Sequence, residues 1–267
     1  MIKIDEMIQT AKSAGYNETT AEAKVCQDII LLLISQSPLN RNVTIKGGVV
    51  MRSISNNARR ATLDIDLDFI RYPLQDSAIL YFIESLNSLG LVKIEAVGEI
   101  EELKQQDYHG KRINVKITDS QQRILQSKID LGVHKHFNLQ QEEFCFDIEL
   151  NEEGASLLIN SKEQMLTEKL RSILKFGAVS TRYKDIFDIY YLSTLVDKSL
   201  LLNCFDTLIY SDSGMRENTL TDIIKRVTAT FNNKTYLRHL ETSKKNWINE
   251  NLDTVLNGIL NFLSSLN

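Results

Sequence analysis

The stretch from Leu63 to Ile70 constrains this chain more than any other. Leu63, Ile65, Leu67 and Phe69 alternate with Asp64, Asp66 and Asp68. Period-two alternation is the pattern of a strand with one buried and one polar face. Successive side chains of a strand point to opposite sides, so Asp64 and Asp66 share a face and the apolar four are expected to pack inward. Two carboxylates held side by side repel each other, and a divalent cation between them relieves that repulsion. Mg²⁺ takes oxygen ligands, commonly one or two carboxylates completed by substrate phosphates. An edge strand with a solvated acidic face has the same alternation, because acidic residues discourage edge-to-edge pairing. The residues upstream weigh between the two.

Upstream, Val43-Thr44-Ile45 is β-prone and runs into Lys46-Gly47-Gly48, and a helical pattern then continues to about Ile54. Glycine lets backbone approach a ligand closely, and a new helix presents free N–H groups at the positive end of its dipole. Such a turn can cradle phosphate, with Lys46 and Arg52 adding positive charge. A phosphate cradle followed by a same-face Asp pair is the layout of metal-assisted phosphoryl or nucleotidyl transfer. The glycines therefore favour a site over an edge strand.

The rest of the chain divides in character. Before Asn160 the patterns mix. Thr19 to Ser37 reads as a helix capped by Thr19 or Thr20 and stopped by Pro38, and Asp76 to Asn87 reads as another. Leu91 to Val97, Arg112 to Thr118 and Gln126 to Val133 read as strands. From about Ser161 onward the pattern is helical, in four or five segments broken near Gly177, Asp197, Ser211 to Gly214, and Asn232. The expectation is an α+β chain: a mixed sheet with helices over residues 1–160, then an all-helical lobe over 161–267.

That lobe carries its own candidates. Met165, Lys169 and Ile173 recur at helical spacing, placing Lys169 in an apolar stripe. Its ammonium either snorkels to water or reaches into the cleft between the lobes to bind a triphosphate. Asp185 and Asp188 are three apart. Asp185 suits the first turn of a helix, where acids favour the dipole. Asp188 shares its face with Leu192 and Leu195, an unusual place for a solvated acid.

Lys46-Gly47-Gly48, Arg52 and Arg60-Ala61-Thr62-Leu63-Asp64-Ile65-Asp66 together resemble the first two motifs of DNA-polymerase-β-like nucleotidyltransferases. More narrowly, the chain resembles the AbiEii/AbiGii toxin family of nucleotidyltransferases. Glu168-Lys169-Leu170 and Arg182-Tyr183-Lys184-Asp185-Ile186-Phe187-Asp188-Ile189-Tyr190-Tyr191-Leu192 look like that family's third and fourth motifs. The resemblance implies an Mg²⁺- or Mn²⁺-dependent enzyme that moves NMP from an NTP to an acceptor such as the tRNA 3′ end. It further implies the toxin of a bacterial toxin–antitoxin or phage-defence pair, with a cognate antitoxin as possible partner. Asp64 and Asp66 would hold the metal. Lys46, Gly47, Gly48, Arg52 and Thr62 would hold the nucleotide, with Lys169 and Asp185 functional and Asp188 second to them. Asp130, a lone acid in a β-like segment, is the candidate third metal ligand. One departure stands out: the Ser or Thr that often follows the glycine pair is Val49 here. Other readings are transfer to a small molecule or a protein, and a catalytically silent scaffold that binds nucleotide or a partner.

Other features bound the context. A net charge of -4 excludes a globally basic nucleic-acid binder, though Lys104, Lys111, Arg112, Lys116, Arg123 and Lys128 could line a local basic groove for RNA phosphates. His134 and His136, two apart, could face one way toward a metal. No third ligand of suitable spacing is visible, so they read as surface histidines. Cys26, Cys145 and Cys204 are odd in number and widely spaced, which reads as reduced thiols. The longest apolar run, Ile29 to Ile34, is too short to span a membrane, and the start lacks the apolar core of a secretory leader. A cytoplasmic protein without membrane contact is expected.

Overall fold

The computed structural model describes residues 2–103 and 110–266. The chain forms two compact units, Met1–Asn160 and Ser161–Asn267.

The first unit is built on one seven-stranded mixed sheet. It opens with α1 (Ile4–Ser13) and α2 (Glu18–Ser35), then β1 (Val43–Lys46), α3 (Gly47–Ser55), β2 (Ile65–Phe69) and α4 (Asp76–Ser85). Five further strands follow: β3 (Lys93–Leu103), β4 (Gly110–Thr118), β5 (Ile124–Val133), β6 (Gln141–Ile148) and β7 (Asn151–Asn160). Their order across the sheet is β3-β4-β5-β2-β1-β7-β6. β2 is therefore the central strand, antiparallel to β1 and parallel to β5. That position overturns the edge-strand alternative, because the acidic alternation lies where no edge needs protection.

Three sequence expectations change here. Leu63 and Asp64 precede β2, and Leu63 is 51% exposed, so only Ile65, Leu67 and Phe69 pack inward. The β6–β7 hairpin, which pairs Gln141 with Asn160 and Cys145 with Ser156, was not anticipated from the sequence. α2 begins one residue early, because Asn17 rather than a threonine accepts the Thr20 N–H and caps it.

The sheet has one apolar and one polar face. Ile45, Leu67 and Leu131 lie in register across β1, β2 and β5, and Ile65, Ile129 and Ile113 across β2, β5 and β4, and all six are buried. Helix α2 packs on β5, β6 and β7, and its run from Ile29 to Ile34 is buried on every side. At about 25 cal/mol per Å² of apolar surface removed from water, this layer is the main favourable contribution to the unit.

The second unit is helical. It comprises α5 (Lys162–Phe176), α6 (Tyr183–Ser193), α7 (Lys198–Phe205), a π-helical turn (Asp206–Tyr210), α8 (Leu220–Phe231), α9 (Lys234–Thr242) and α10 (Leu252–Ser264). Among the described residues that is six α-helices rather than four or five. Ser161 caps α5 on the Gln164 N–H, Asp197 caps α7, and Thr219 and Asp222 form a capping box on α8. The core gathers Leu170, Ile189, Phe205, Val227 and Ile259. No helix among the described residues is long and apolar enough to cross a membrane.

Candidate active site

The polar face of the first unit carries one row of charge. Lys46 on β1 lies opposite Asp66 on β2, Asp66 beside Asp130 on β5, Asp130 opposite Arg112 on β4, and Arg112 opposite Glu101 on β3. Arg112 grips Asp130 as a fork, Nε donating to Oδ1 at 2.7 Å and Nη2 to Oδ2 at 2.8 Å. The bonds from Asp130, with the fields of Asp130, Asp64 and Glu101, raise the guanidinium above its ordinary pKa against the cost of its burial. Asp64 thus lies close enough to Arg112 for its charge to act there. Asp130 is committed to Arg112, which argues against its expected role as third metal ligand. Among the described residues no cluster of three or more metal-ligating side chains exists.

The glycine turn abuts this row. Gly47 has φ +69°, and a Cβ there would stand 2.3 Å from Asp66 Oδ2; a Cβ on Gly48 would stand 2.6 Å from both Cβ and Oγ1 of Thr62. Only glycine at both positions lets the start of α3 close onto Asp66 and Thr62. Gln27 Nε2 donates to the Thr62 carbonyl at 2.9 Å and ties that loop to α2. The N-terminus of α3 and the Asp66 carboxylate therefore meet at one place, with Asp64 two residues before it in the chain. Two carboxylates with no soft ligand nearby suit a hard divalent cation that draws its remaining oxygens from phosphate and water. Val49, whose side chain is fully buried, could not present a hydroxyl to this turn. Thr62 Oγ1 is the hydroxyl that lies there.

The expected phosphate cations are differently placed. Lys46 Nζ donates to Asp68 at 2.6 Å, and Asp68 is 5% exposed. Arg52 is buried and pairs at 3.3 Å with Asp28 of α2, which also holds Lys24. Arg52 Nε and Nη1 are buried with no hydrogen-bond partner among the described residues. The Arg52 guanidinium therefore fastens α3 to α2 in this structure.

Lys169 in the second unit does not snorkel. It is 7% exposed, and its Nζ donates to Asp185 Oδ1 at 3.0 Å and lies 2.7 Å from Asp188 Oδ2. Asp188 is fully buried and accepts from Trp247 Nε1 at 2.9 Å. Asp185, in the first turn of α6, also pairs with Arg182 Nε at 2.8 Å, and the Arg182 side chain is 64% exposed. The structure thus joins Lys169, Asp185 and Asp188 in one buried network and gives each charge a partner. Leu195, expected beside Asp188, is 43% exposed.

The remaining expectations resolve individually. Lys111 pairs with Asp76 and Glu102, Lys116 with Glu95, and Arg123 with Asp5 and Glu22. With Arg112 on Asp130, the supposed basic groove is largely neutralised by neighbours. Lys104 lies outside the described residues. His134 is 3% exposed, not a surface histidine, and burial holds its imidazole below the ordinary pKa. Cys26 and Cys204 are buried, Cys145 is exposed, and all three are free thiols.

Sequence reasoning passed over Asp68, Arg112 as a partner of Asp130, Asp28 and Trp247. Asp68 carries the same alternation as Asp64 and Asp66, so its signal was present. Trp247 is 59 residues from Asp188 and had none.

Comparison with known proteins gives two findings. The family model described as "Nucleotidyl transferase AbiEii toxin, Type IV TA system" matches residues 29–252. Among solved structures, an antigenic nucleotidyltransferase-like protein from Paracoccidioides brasiliensis is similar at 16% identity, with 75% of this chain and 93% of that one covered and a TM-score of 0.44. No curated protein matches.

Proposed function

This chain belongs to the AbiEii nucleotidyl transferase toxin family of type IV toxin–antitoxin systems, and from that premise we propose that it is an Mg²⁺-dependent enzyme transferring NMP from an NTP to an RNA acceptor, with the tRNA 3′ end as the leading candidate. One observation carries the reading: the Gly47-Gly48 turn closes onto Asp66 and Thr62 with no room for a Cβ. That close approach of the α3 start to the Asp66 carboxylate supports a phosphate cradle beside a metal ligand.

Asp64 and Asp66 hold the cation, which when bound neutralises charge on the phosphates. The N–H groups at the start of α3 receive the triphosphate, and the Thr62 hydroxyl takes the place of the one missing at Val49. Lys46, held by Asp68, keeps a positive charge in the same row. The acceptor hydroxyl attacks the α-phosphorus in line. The new O–P bond forms as the α–β bridging bond breaks, pyrophosphate leaves and the hydroxyl proton passes to water. Catalysis is mainly positioning and charge stabilisation. Arg52 acts by anchoring α3. Lys169, Asp185 and Asp188 act as a buried brace that presents Arg182, the exposed cation of that network. A cytoplasmic enzyme neutralised by a cognate antitoxin, in a phage-defence setting, fits the family.

The test is incubation with Mg²⁺, each α-³²P-labelled NTP in turn and total bacterial RNA, with Asp66→Ala alongside. The expected outcome is label on RNA, reduced at least about 100-fold in the variant. Label on protein or on a small molecule would replace the acceptor. Absence of label together with absence of Mg²⁺-dependent nucleotide binding would defeat the enzyme reading.

A further inference from the structure

The first unit has a cavity of about 360 Å³ at the end of the sheet away from Gly47. Ile70, just past β2, and Leu158 of β7, in register with Thr44, line it from the polar side of the sheet, with His134, Phe137 and Arg41 around them. Ile70 is four residues beyond Asp66, which places the cavity about 13 Å along β2 from that carboxylate at the usual rise of a strand.

The lining has the chemistry of a stacking site. Phe137 is 57% exposed and leaves ring surface open to a stacking partner. The Arg71 guanidinium lies over its ring, 5.4 Å from the centroid. Arg71 is held at φ +51°, a left-handed conformation that a non-glycine residue keeps only where its surroundings demand it. The His134 ring meets Phe137 edge-on with centroids 5.8 Å apart, and His134 Nε2 is buried with no hydrogen-bond partner among the described residues. The Arg41 side chain is 65% exposed and makes a surface pair with Glu143, an interaction weak enough to exchange for phosphate. One guanidinium, Arg41, therefore lines an aromatic pocket large enough for one nucleotide but not for a folded element, and a second, Arg71, reaches it over the Phe137 ring.

We propose that this cavity binds one unpaired nucleotide of the acceptor RNA, with its base against Phe137, its phosphate at Arg41, and Arg71 adding positive charge beside the ring. The proposal rests on RNA being the acceptor. A nucleotide whose α-phosphate is at Asp66 would not span the distance to Phe137, whereas a neighbouring residue of a polynucleotide would. Stacking on an aromatic face tolerates any base, so the site would contribute affinity more than sequence preference.

The experiment is fluorescence anisotropy of a fluorescein-labelled single-stranded RNA oligonucleotide with the full chain. The variants are Phe137→Ala, Arg41→Ala and Arg71→Gly, the last keeping a residue suited to positive φ. Phe137→Ala should weaken RNA binding at least about fivefold. Each arginine variant should weaken it and reduce the steepness of its salt dependence by about one phosphate contact. The urea midpoint and the KM for NTP should be unchanged. RNA affinity unaltered by Phe137→Ala in a protein with a wild-type urea midpoint overturns the proposal, and so does a wild type that binds no RNA. If the three variants instead lose a bound peptide or protein and keep RNA, the cavity belongs to another partner and the proposal fails. Binding needs no turnover, so the two readings separate. RNA held through Phe137 without label transfer defeats the enzyme reading alone, and label transfer with RNA affinity indifferent to Phe137 defeats the cavity alone.

Discussion

A methyl group on Gly47 would stand 2.3 Å from Asp66 Oδ2 in a backbone already at φ +69°. Gly47→Ala therefore adds a clash to a left-handed strain of about 1–2 kcal/mol, and either the turn opens or Asp66 rotates away. The expected outcome is a modest drop in urea midpoint with near-complete loss of Mg²⁺-dependent NTP binding, read by calorimetry; normal binding would show that the close approach is not needed. The thiols allow a second prediction. Burial pushes Cys26 and Cys204 up to about 12, whereas Cys145 is exposed. Iodoacetamide at pH 8 should modify Cys145 alone, and all three thiols after unfolding, as counted by mass spectrometry. A thiol whose folded pKa lies above its unfolded value of 9.0 favours the native state less as pH rises from about 9 toward 12, so the urea midpoint should fall across that window.

Among elements, the sheet row and the α5–α6 network differ in their exposure to water, and so in what they contribute. Lys169, Asp185 and Asp188 are each less than a tenth exposed, so the attraction among them acts in a low dielectric and must offset substantial desolvation. Removing one member leaves an uncompensated charge. Asp188→Ala is expected to cost about 3–5 kcal/mol in chemical denaturation. Trp247→Phe keeps an aromatic ring but removes the hydrogen bond to a charged group and part of the buried ring volume, so at least about 1.5–3 kcal/mol is expected. A loss below 0.5 kcal/mol in both variants would mean that the network is not closed in solution. On the sheet, Arg112→Ala should leave Asp130 without its fork, freeing a carboxylate beside Asp66. Tighter divalent-cation binding in that variant, together with lower stability, would show that Arg112 keeps Asp130 out of the site.

For the whole molecule, the prediction concerns autonomy. The second unit has its own apolar core, and Lys169, Asp185, Asp188 and Trp247 all lie inside Ser161–Asn267. Residues 161–267 expressed alone are expected to unfold in one cooperative urea transition, with Trp247 fluorescence and circular dichroism changing together. A broad, non-coincident change would show that the helices depend on the first unit.

Much of this molecule was legible in the sequence because the signals are local. The alternation around β2, the glycines between β1 and α3, and the breaks at Gly177, Asp197 and Asn232 are set by side-chain period, backbone freedom and capping within a few residues. Asp64, Asp66, Gly47 and Gly48 stand out as candidates for that reason. Which strand is central, and which cation neutralises which carboxylate, depended on pairings between segments distant in the chain. Asp130 meets Arg112 across 18 residues, Arg52 meets Asp28 across 24, and Trp247 meets Asp188 across 59. A sequence displays charges but not their partners. In a buried setting, whether a lysine is paired with carboxylate or left for phosphate is decided by the nearest opposite charge, and only the tertiary structure brings that charge into place.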